Sequence, residues 1–229
     1  MELTIDTASP LASVALTDEG RLLAESTWLA GRGHASELLP AIERLLAGAS
    51  VERETIDAVF VNRGPGGYAG LRVGISTAMA LAFALSAGLL AYGRLEADAY
   101  PLLTLERPVC AVHDAGRGEF AWAVYRQHDG QPPEELHAPR IGSPESLAES
   151  MQDDYLLTGE VTARLRPLLP DGAFVVSGAP AIRRAGTGAS LAWPRYATGA
   201  RDSHLALTPL YLREPNITTP RPRTAGSPT

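Results

Sequence analysis

The chain opens the same way twice, and that repeat limits its fold more than any other feature. Glu2 to Asp6 reads as a strand ending in an acid, followed by a turn and a second strand, Leu11 to Thr17. Asp18-Glu19-Gly20 marks a tight turn into a third strand, Arg21 to Leu29. In the second half, Val109 to Asp114 is again a strand ending in Asp, and a turn leads to Glu119 to Arg126. Asp129-Gly130 marks the next turn, and Leu136 to Ile141 makes a third strand. Helical and strand segments alternate around both sets. The pattern predicts an α/β protein built from two related units that meet near Leu105 to Pro108.

Within the first unit, His34 to Ala47 carries apolar residues at Leu38, Leu39, Ile42, Leu45 and Leu46, the spacing of an amphipathic helix. A strand (Ile56 to Val61), a helix (Leu71 to Ser86), a strand (Leu89 to Tyr92) and a helix (Leu95 to Leu105) follow. The second unit continues with helices at Pro144 to Met151 and Val161 to Leu168, and strands at Tyr155 to Leu157 and Phe174 to Val176. Past Leu212 the chain holds Pro215, Pro220, Pro222 and Pro228 and no apolar periodicity. Residues 214–229 are therefore expected to be a Pro-rich, disordered tail.

Composition removes several functions. The single cysteine, Cys110, excludes an intramolecular disulfide and suits a reducing, cytoplasmic compartment. It lies in an apolar strand, where a thiol is inert. All 20 basic residues are Arg, which excludes a lysine Schiff base or a P-loop lysine. Net charge is −6, with acids in excess up to residue 159 and Arg in thin excess beyond it. That is not the clustered basic face of a protein that grips RNA by itself. The N-terminus lacks the basic region of a signal peptide. Val73 to Gly93 has no charged residue and is long enough to span a membrane. Its Ala, Gly and Ser content and the break at Gly88 favour a buried helix followed by a strand, with no membrane contact.

The richest local signal is Arg63-Gly64-Pro65-Gly66-Gly67-Tyr68-Ala69-Gly70-Leu71-Arg72-Val73-Gly74, between a strand and a helix. A glycine-rich turn entering a helix leaves outward N–H groups that can hold an anion, or lets two backbones touch. The spacing is G-x-G-x-x-x-G, so the dinucleotide fingerprint fails. Asp6-Thr7 at the mouth of the first strand suits metal or phosphate contact, or equally an Asx turn closing a hairpin. The histidines (His34, His113, His128, His137, His204) form no metal-ligand spacing, and His113 beside Asp114 is a weak acid–base pair. No G-x-S-x-G elbow is present. The architecture is enzyme-like, without a catalytic set, a metal site or a cofactor site. On the helix after the glycine loop, Gly74, Ala78, Ala82 and Ser86 fall in one i, i+4 row. Small residues there permit either tight packing on the chain's own sheet or close approach of a helix from another subunit.

Five blocks in order resemble the bacterial TsaB family, also called YeaZ. They are Leu3-Thr4-Ile5-Asp6-Thr7-Ala8-Ser9, His34-Ala35-Ser36-Glu37-Leu38-Leu39-Pro40, the run Gly64 to Gly74, Asp114-Ala115-Gly116-Arg117-Gly118-Glu119, and Pro209-Leu210-Tyr211-Leu212-Arg213. The resemblance implies an actin-like fold of the sugar-kinase and chaperone superfamily, made of two RNase H-like halves, 1–106 and 107–213. It implies a non-catalytic subunit in the synthesis of threonylcarbamoyladenosine in tRNA, paired with the catalytic TsaD and joined by the ATPase TsaE. Contact with tRNA would come only through the complex, and the isolated chain could form a homodimer. In the family, helices of the N-terminal half make the contact between subunits. The resemblance thus makes Leu71, Gly74, Ala78, Ala82 and Ser86, with Glu37, Ala41 and Arg44 on the preceding helix, the interface candidates. Asp6, Thr7, Gly64, Gly66, Gly67 and Tyr68 become candidates for a vestigial ligand loop. The alternative from the same superfamily is an ATP-dependent small-molecule kinase using Asp6 and the glycine loop.

Overall fold

The computed structural model describes residues 1–128, 131–178 and 182–213. The expected Asp129-Gly130 turn and the Pro-rich tail lie outside these residues. The first sheet holds β1 (Glu2–Asp6), β2 (Leu11–Asp18), β3 (Arg21–Leu29), β4 (Ala58–Asn62) and β5 (Gly88–Tyr92), in the order β3-β2-β1-β4-β5. The second holds β6 (Val109–Gly116), β7 (Glu119–Arg126), β8 (Glu134–Gly142), β9 (Leu156–Gly159) and β10 (Phe174–Val175), in the order β8-β7-β6-β9-β10. Each sheet has an antiparallel three-strand meander whose first strand pairs in parallel with the fourth. The two sheets correspond strand for strand, as the sequence repeat predicts. This is the actin-like α/β architecture of two RNase H-like sheets.

The central strands are buried because both of their faces are covered. All five residues of β1 and of β4 are buried. On one face of the first sheet lie α1 (His34–Ala49) and α2 (Tyr68–Leu85). Leu38, Ile42 and Leu45 of α1 and Ile75, Ala78 and Ala82 of α2 join Leu3, Val14, Val59 and Leu89 in one core. Among the described residues, α2 is the one helix long and apolar enough to cross a membrane, and its inner face is buried in this core.

Two further helices cross between the sheets. Helix α3 (Arg94–Ala99) follows the first sheet yet packs on β6, β7 and β9 of the second, through Leu95 and Ala99. Helix α5 (Ala185–Ala197) follows the second sheet yet packs on β1 to β5 of the first. Its Ala189, Leu191 and Ala192 close a core with Phe60, Leu90 and Tyr92. A boundary near residue 106 therefore divides the sheets but not the helices. The remaining helix, α4 (Pro144–Glu149), is capped by the Ser143 side chain, which accepts from the Ser146 N–H.

Three expectations differ from the structure. The helix expected over Leu95 to Leu105 is α3 followed by a 3-10 turn, Tyr100–Leu105. Pro101 has no N–H for the α-helical ladder, so the α-helix stops before it. The helix expected over Val161 to Leu168 is only a 3-10 turn, Arg166–Leu168. Pro167 falls inside it, and Leu165 buries itself from a turn closed by Thr162. Helix α5 has no counterpart in the sequence expectations, because Gly186, Gly188 and Pro194 argue against a helix. Tertiary packing overrides them: a Cβ at position 188 would run into the Tyr92 ring.

Candidate functional site

The residue at the mouth of β1 is fully committed to its own chain. Asp6 is 1% exposed. Its Oδ1 accepts from the Ala8 N–H at 3.1 Å, which closes the Asx turn that was one of the two sequence readings. The same carboxylate takes a two-pronged guanidinium from Arg183, Nε to Oδ2 at 2.6 Å and Nη2 to Oδ1 at 3.1 Å. Asn62 Nδ2 donates to Oδ2 at 2.7 Å, and the Tyr92 hydroxyl lies 3.5 Å from it. Burial alone would raise the Asp6 carboxyl. The charge and hydrogen bonds of Arg183, with those of Asn62 and Ala8, outweigh burial and hold it below its usual value.

Arg183 is one link in a buried chain of charge that joins both sheets. Its Nη1 donates to Asp98 Oδ1 on α3 at 3.0 Å. Asp98 Oδ2 pairs with Arg94 Nε at 3.4 Å, and Arg94 Nη2 donates to Glu160 Oε1 at 2.5 Å. Glu160 follows β9, and its Oε2 accepts from His113 Nδ1 at 2.8 Å and from the Asp114 N–H at 2.9 Å. Thus the expected partner of His113 is corrected: it is Glu160, not Asp114. Burial lowers the His113 pKa against the opposing pull of Glu160. Glu160 itself is held far below the carboxylate range, because the bond from His113 and the charge of Arg94 overcome its burial.

These shifts carry a sign. Asp6, Glu160 and His113 all bind protons less tightly when folded, so acid favours the unfolded chain. Stability should be full above pH 6.5, the unfolded value for His113, and should fall as pH drops from there. A second loss should begin below about 4, where unfolded carboxylates protonate. Urea unfolding at pH 8, 6, 5 and 3.5 would measure this. His113→Gln should remove the first step and leave the second. A midpoint that rises on acidification would contradict the assignment.

The glycine loop is used for contact between backbones. Added Cβ atoms at Gly66 and Gly70 would run into the carbonyls of Ala8 and Thr7, and one at Gly74 into the Thr7 hydroxyl. Gly67 N–H donates to the Ala8 carbonyl at 3.2 Å, and the Thr7 hydroxyl to the Gly70 carbonyl at 2.8 Å. Gly64 N–H is taken by Asn62 Oδ1, and the positive φ of Gly64, 102°, suits glycine. Tyr68 faces outward, stacked on Tyr211 with Arg72 over its ring. A cleft of about 290 Å³ remains on that outer side, bordered by Tyr68, His113, Arg117 and Tyr211, but Asp6 does not line it.

The interface candidates divide by burial. Leu71, Gly74, Ala78, Ala82 and Ala41 all point into the chain's own core, so the small-residue row packs on the sheet. Glu37 is half-buried and accepts from Trp28 Nε1 at 2.7 Å. Arg44 and Ser86 are exposed. The outward face of α2 is a different row, Ala69, Ser76, Ala80, Phe83 and Ala84, with Phe83 69% exposed. Leu39 on α1 is 50% exposed. His34 sits against the Ser9 carbonyl at 2.9 Å. Burial pushes the Cys110 thiol up to about 12, which keeps it inert.

Residues missed by sequence reasoning are Asn62, Arg94, Asp98, Glu160 and Arg183. The repeat contained a signal for two of them. Asn62 ends β4 beside Asp6, and Glu160 follows β9 beside His113, the equivalent place in the second sheet.

Residues 28–153 match the family model described as TsaD, tRNA N6-adenosine threonylcarbamoyltransferase. The chain is 31% identical over 160 residues to the Escherichia coli tRNA threonylcarbamoyladenosine biosynthesis protein TsaB, covering 69% of this chain and 68% of that one. It is 28% identical over 128 residues to the Bacillus subtilis protein of the same name; the match spans just 56% of the length of each. The solved structure of YeaZ from Pseudomonas aeruginosa superposes with a TM-score of 0.81 at 29% identity, over 92% of this chain and 99% of that one. With 31% identity to a TsaB protein over more than two thirds of both chains and a matching fold through both sheets, the chain belongs to the TsaB (YeaZ) family.

Proposed function

We propose that this protein is a non-catalytic subunit in tRNA threonylcarbamoyladenosine synthesis, and that it pairs with a TsaD-type catalytic subunit. The observation that carries this reading is the pairing of Asp6 with Arg183. A carboxylate at the end of the first strand could serve a metal or a phosphate only if its oxygens were free. Here a guanidinium of the same chain takes both oxygens, in a site closed to water. The kinase alternative would require ATP and a metal to displace a bidentate ion pair. A TsaE-type ATPase and tRNA would join through the complex, in the cytoplasm, and the isolated chain could pair with itself through the surface that TsaD uses.

Two measurements test the reading. The purified chain, given tRNA, ATP and threonylcarbamoyl-adenylate, should yield no modified tRNA, and adding a TsaD-type subunit should restore modification. Titration calorimetry of the chain alone should give no heat with ATP and magnesium. Modification without TsaD, or tight ATP binding that Arg183→Met strengthens, would favour an enzyme instead.

A further inference from the structure

A half-used imidazole faces the cleft beside the glycine loop. The cleft, about 290 Å³, is at the lower end of the size range for small organic ligands. Pro65 and Tyr68 border it from the glycine loop, and His113, Ala115, Ala121 and Ile141 from the second sheet. Much of the wall is therefore aliphatic or aromatic. Tyr68 is held in place by its stack on Tyr211, with ring centres 5.3 Å apart.

His113 is mostly enclosed, with 13% of its side chain exposed, yet it borders this cleft. Its Nδ1 lies 2.8 Å from Glu160 Oε2. Burial opposes the charge on Glu160, but the bond from His113 and the charge of Arg94 prevail and keep it ionised. A carboxylate can only accept, so the proton is on Nδ1 and Nε2 carries a bare lone pair. Burial also lowers the pKa of the ring, which keeps it neutral at pH 7. Nε2 has no hydrogen-bond partner among the described residues, and it is not closed off from water.

The surroundings of that lone pair select the ligand. Among the described residues that line the cleft, none is Asp, Glu or Cys, so a metal ion would find no ligand set around Nε2. The cations at the rim are in use. Arg213 pairs with Glu119, Arg72 lies over the Tyr68 ring, and Arg117 is engaged too. The Gly64 and Gly67 N–H groups bond within the chain, to Asn62 and Ala8. An anion therefore gains little here. What the cleft lacks is one hydrogen-bond donor on a flat apolar body.

We propose that the cleft binds a small neutral aromatic compound carrying one N–H or O–H donor, with the donor on His113 Nε2 and the ring against Ala115, Ile141 and Tyr211. The proposal goes beyond the role in tRNA modification and does not rest on it.

Indole and benzofuran serve as probes, titrated calorimetrically into the full chain. The two have nearly the same shape, and only indole has an N–H. Indole should bind about tenfold more tightly, the equivalent of one hydrogen bond to an acceptor that otherwise goes unmatched. His113→Phe keeps a ring in place and removes the lone pair. Indole should then fall to the affinity of benzofuran, and benzofuran should hold steady. Should His113→Phe fail to fold, Ala115→Phe decides the matter: this half-buried position would fill the cleft and weaken both probes by about tenfold or more. No indole binding, equal affinity for indole and benzofuran in the unmodified chain, or indole affinity unchanged in whichever variant folds would each overturn the proposal.

Discussion

Asp6→Ala should destabilise the fold by about 3–5 kcal/mol, the usual loss when one member of a buried ion pair is removed and the other stays. The reason is Arg183. Its guanidinium is almost fully enclosed, and two of its nitrogens point at Asp6. Without that carboxylate it keeps only Asp98 and the Ser9 hydroxyl. For a chain of this size the loss corresponds to roughly 6–20 °C in melting temperature. The complementary test is a double-mutant cycle with Arg183→Met. Removing both partners should cost clearly less than the sum of the single variants, because the second substitution removes the orphaned charge. A catalytic or phosphate-binding Asp6 predicts the reverse pattern, with activity lost and stability kept. Asp6→Ala within 1 kcal/mol of wild type, or strict additivity in the cycle, would show that the ion pair does not hold the two sheets together.

The strands of both sheets are legible in the sequence because their signal is local. β1, β3 and β7 fall where alternation and buried apolar runs place them, since a strand's two faces are written every second residue. The internal repeat then carries the topology. Helix α5 is not legible, because its glycines answer to the distant Tyr92 ring and to Leu22 rather than to helix propensity. The charge network is hidden for the same reason. Arg183 and Asp6 are separated by 177 positions, and neither carries a local mark of its partner. The interface row on α2 shows a further limit. Small residues at i, i+4 announce a close approach but not what approaches. Here it is Thr7 at Gly74 and the sheet core at Ala78 and Ala82.

That distinction predicts opposite results for two neighbouring residues on α2. Ala78→Arg should unfold the first sheet rather than report on pairing, because Ala78 is 0% exposed and packs in the main core. Ala80→Arg lies on the outward row with Ser76, Phe83 and Ala84, so circular dichroism and melting should stay at wild-type values. If this face docks a TsaD-type subunit, the added guanidinium would be buried without a partner. The expected loss of several kcal/mol amounts to at least about a hundredfold in affinity, enough to abolish co-elution at micromolar concentration. Phe83→Ala should act in the same direction, since a large exposed aromatic near the centre of a docking face is the kind of residue that dominates binding energy. Melting curves of all three variants come first, then co-elution with the partner. A folded Ala80→Arg protein that pairs at wild-type affinity would remove the outward face of α2 from the interface and turn attention to Leu39, the large apolar side chain exposed on α1.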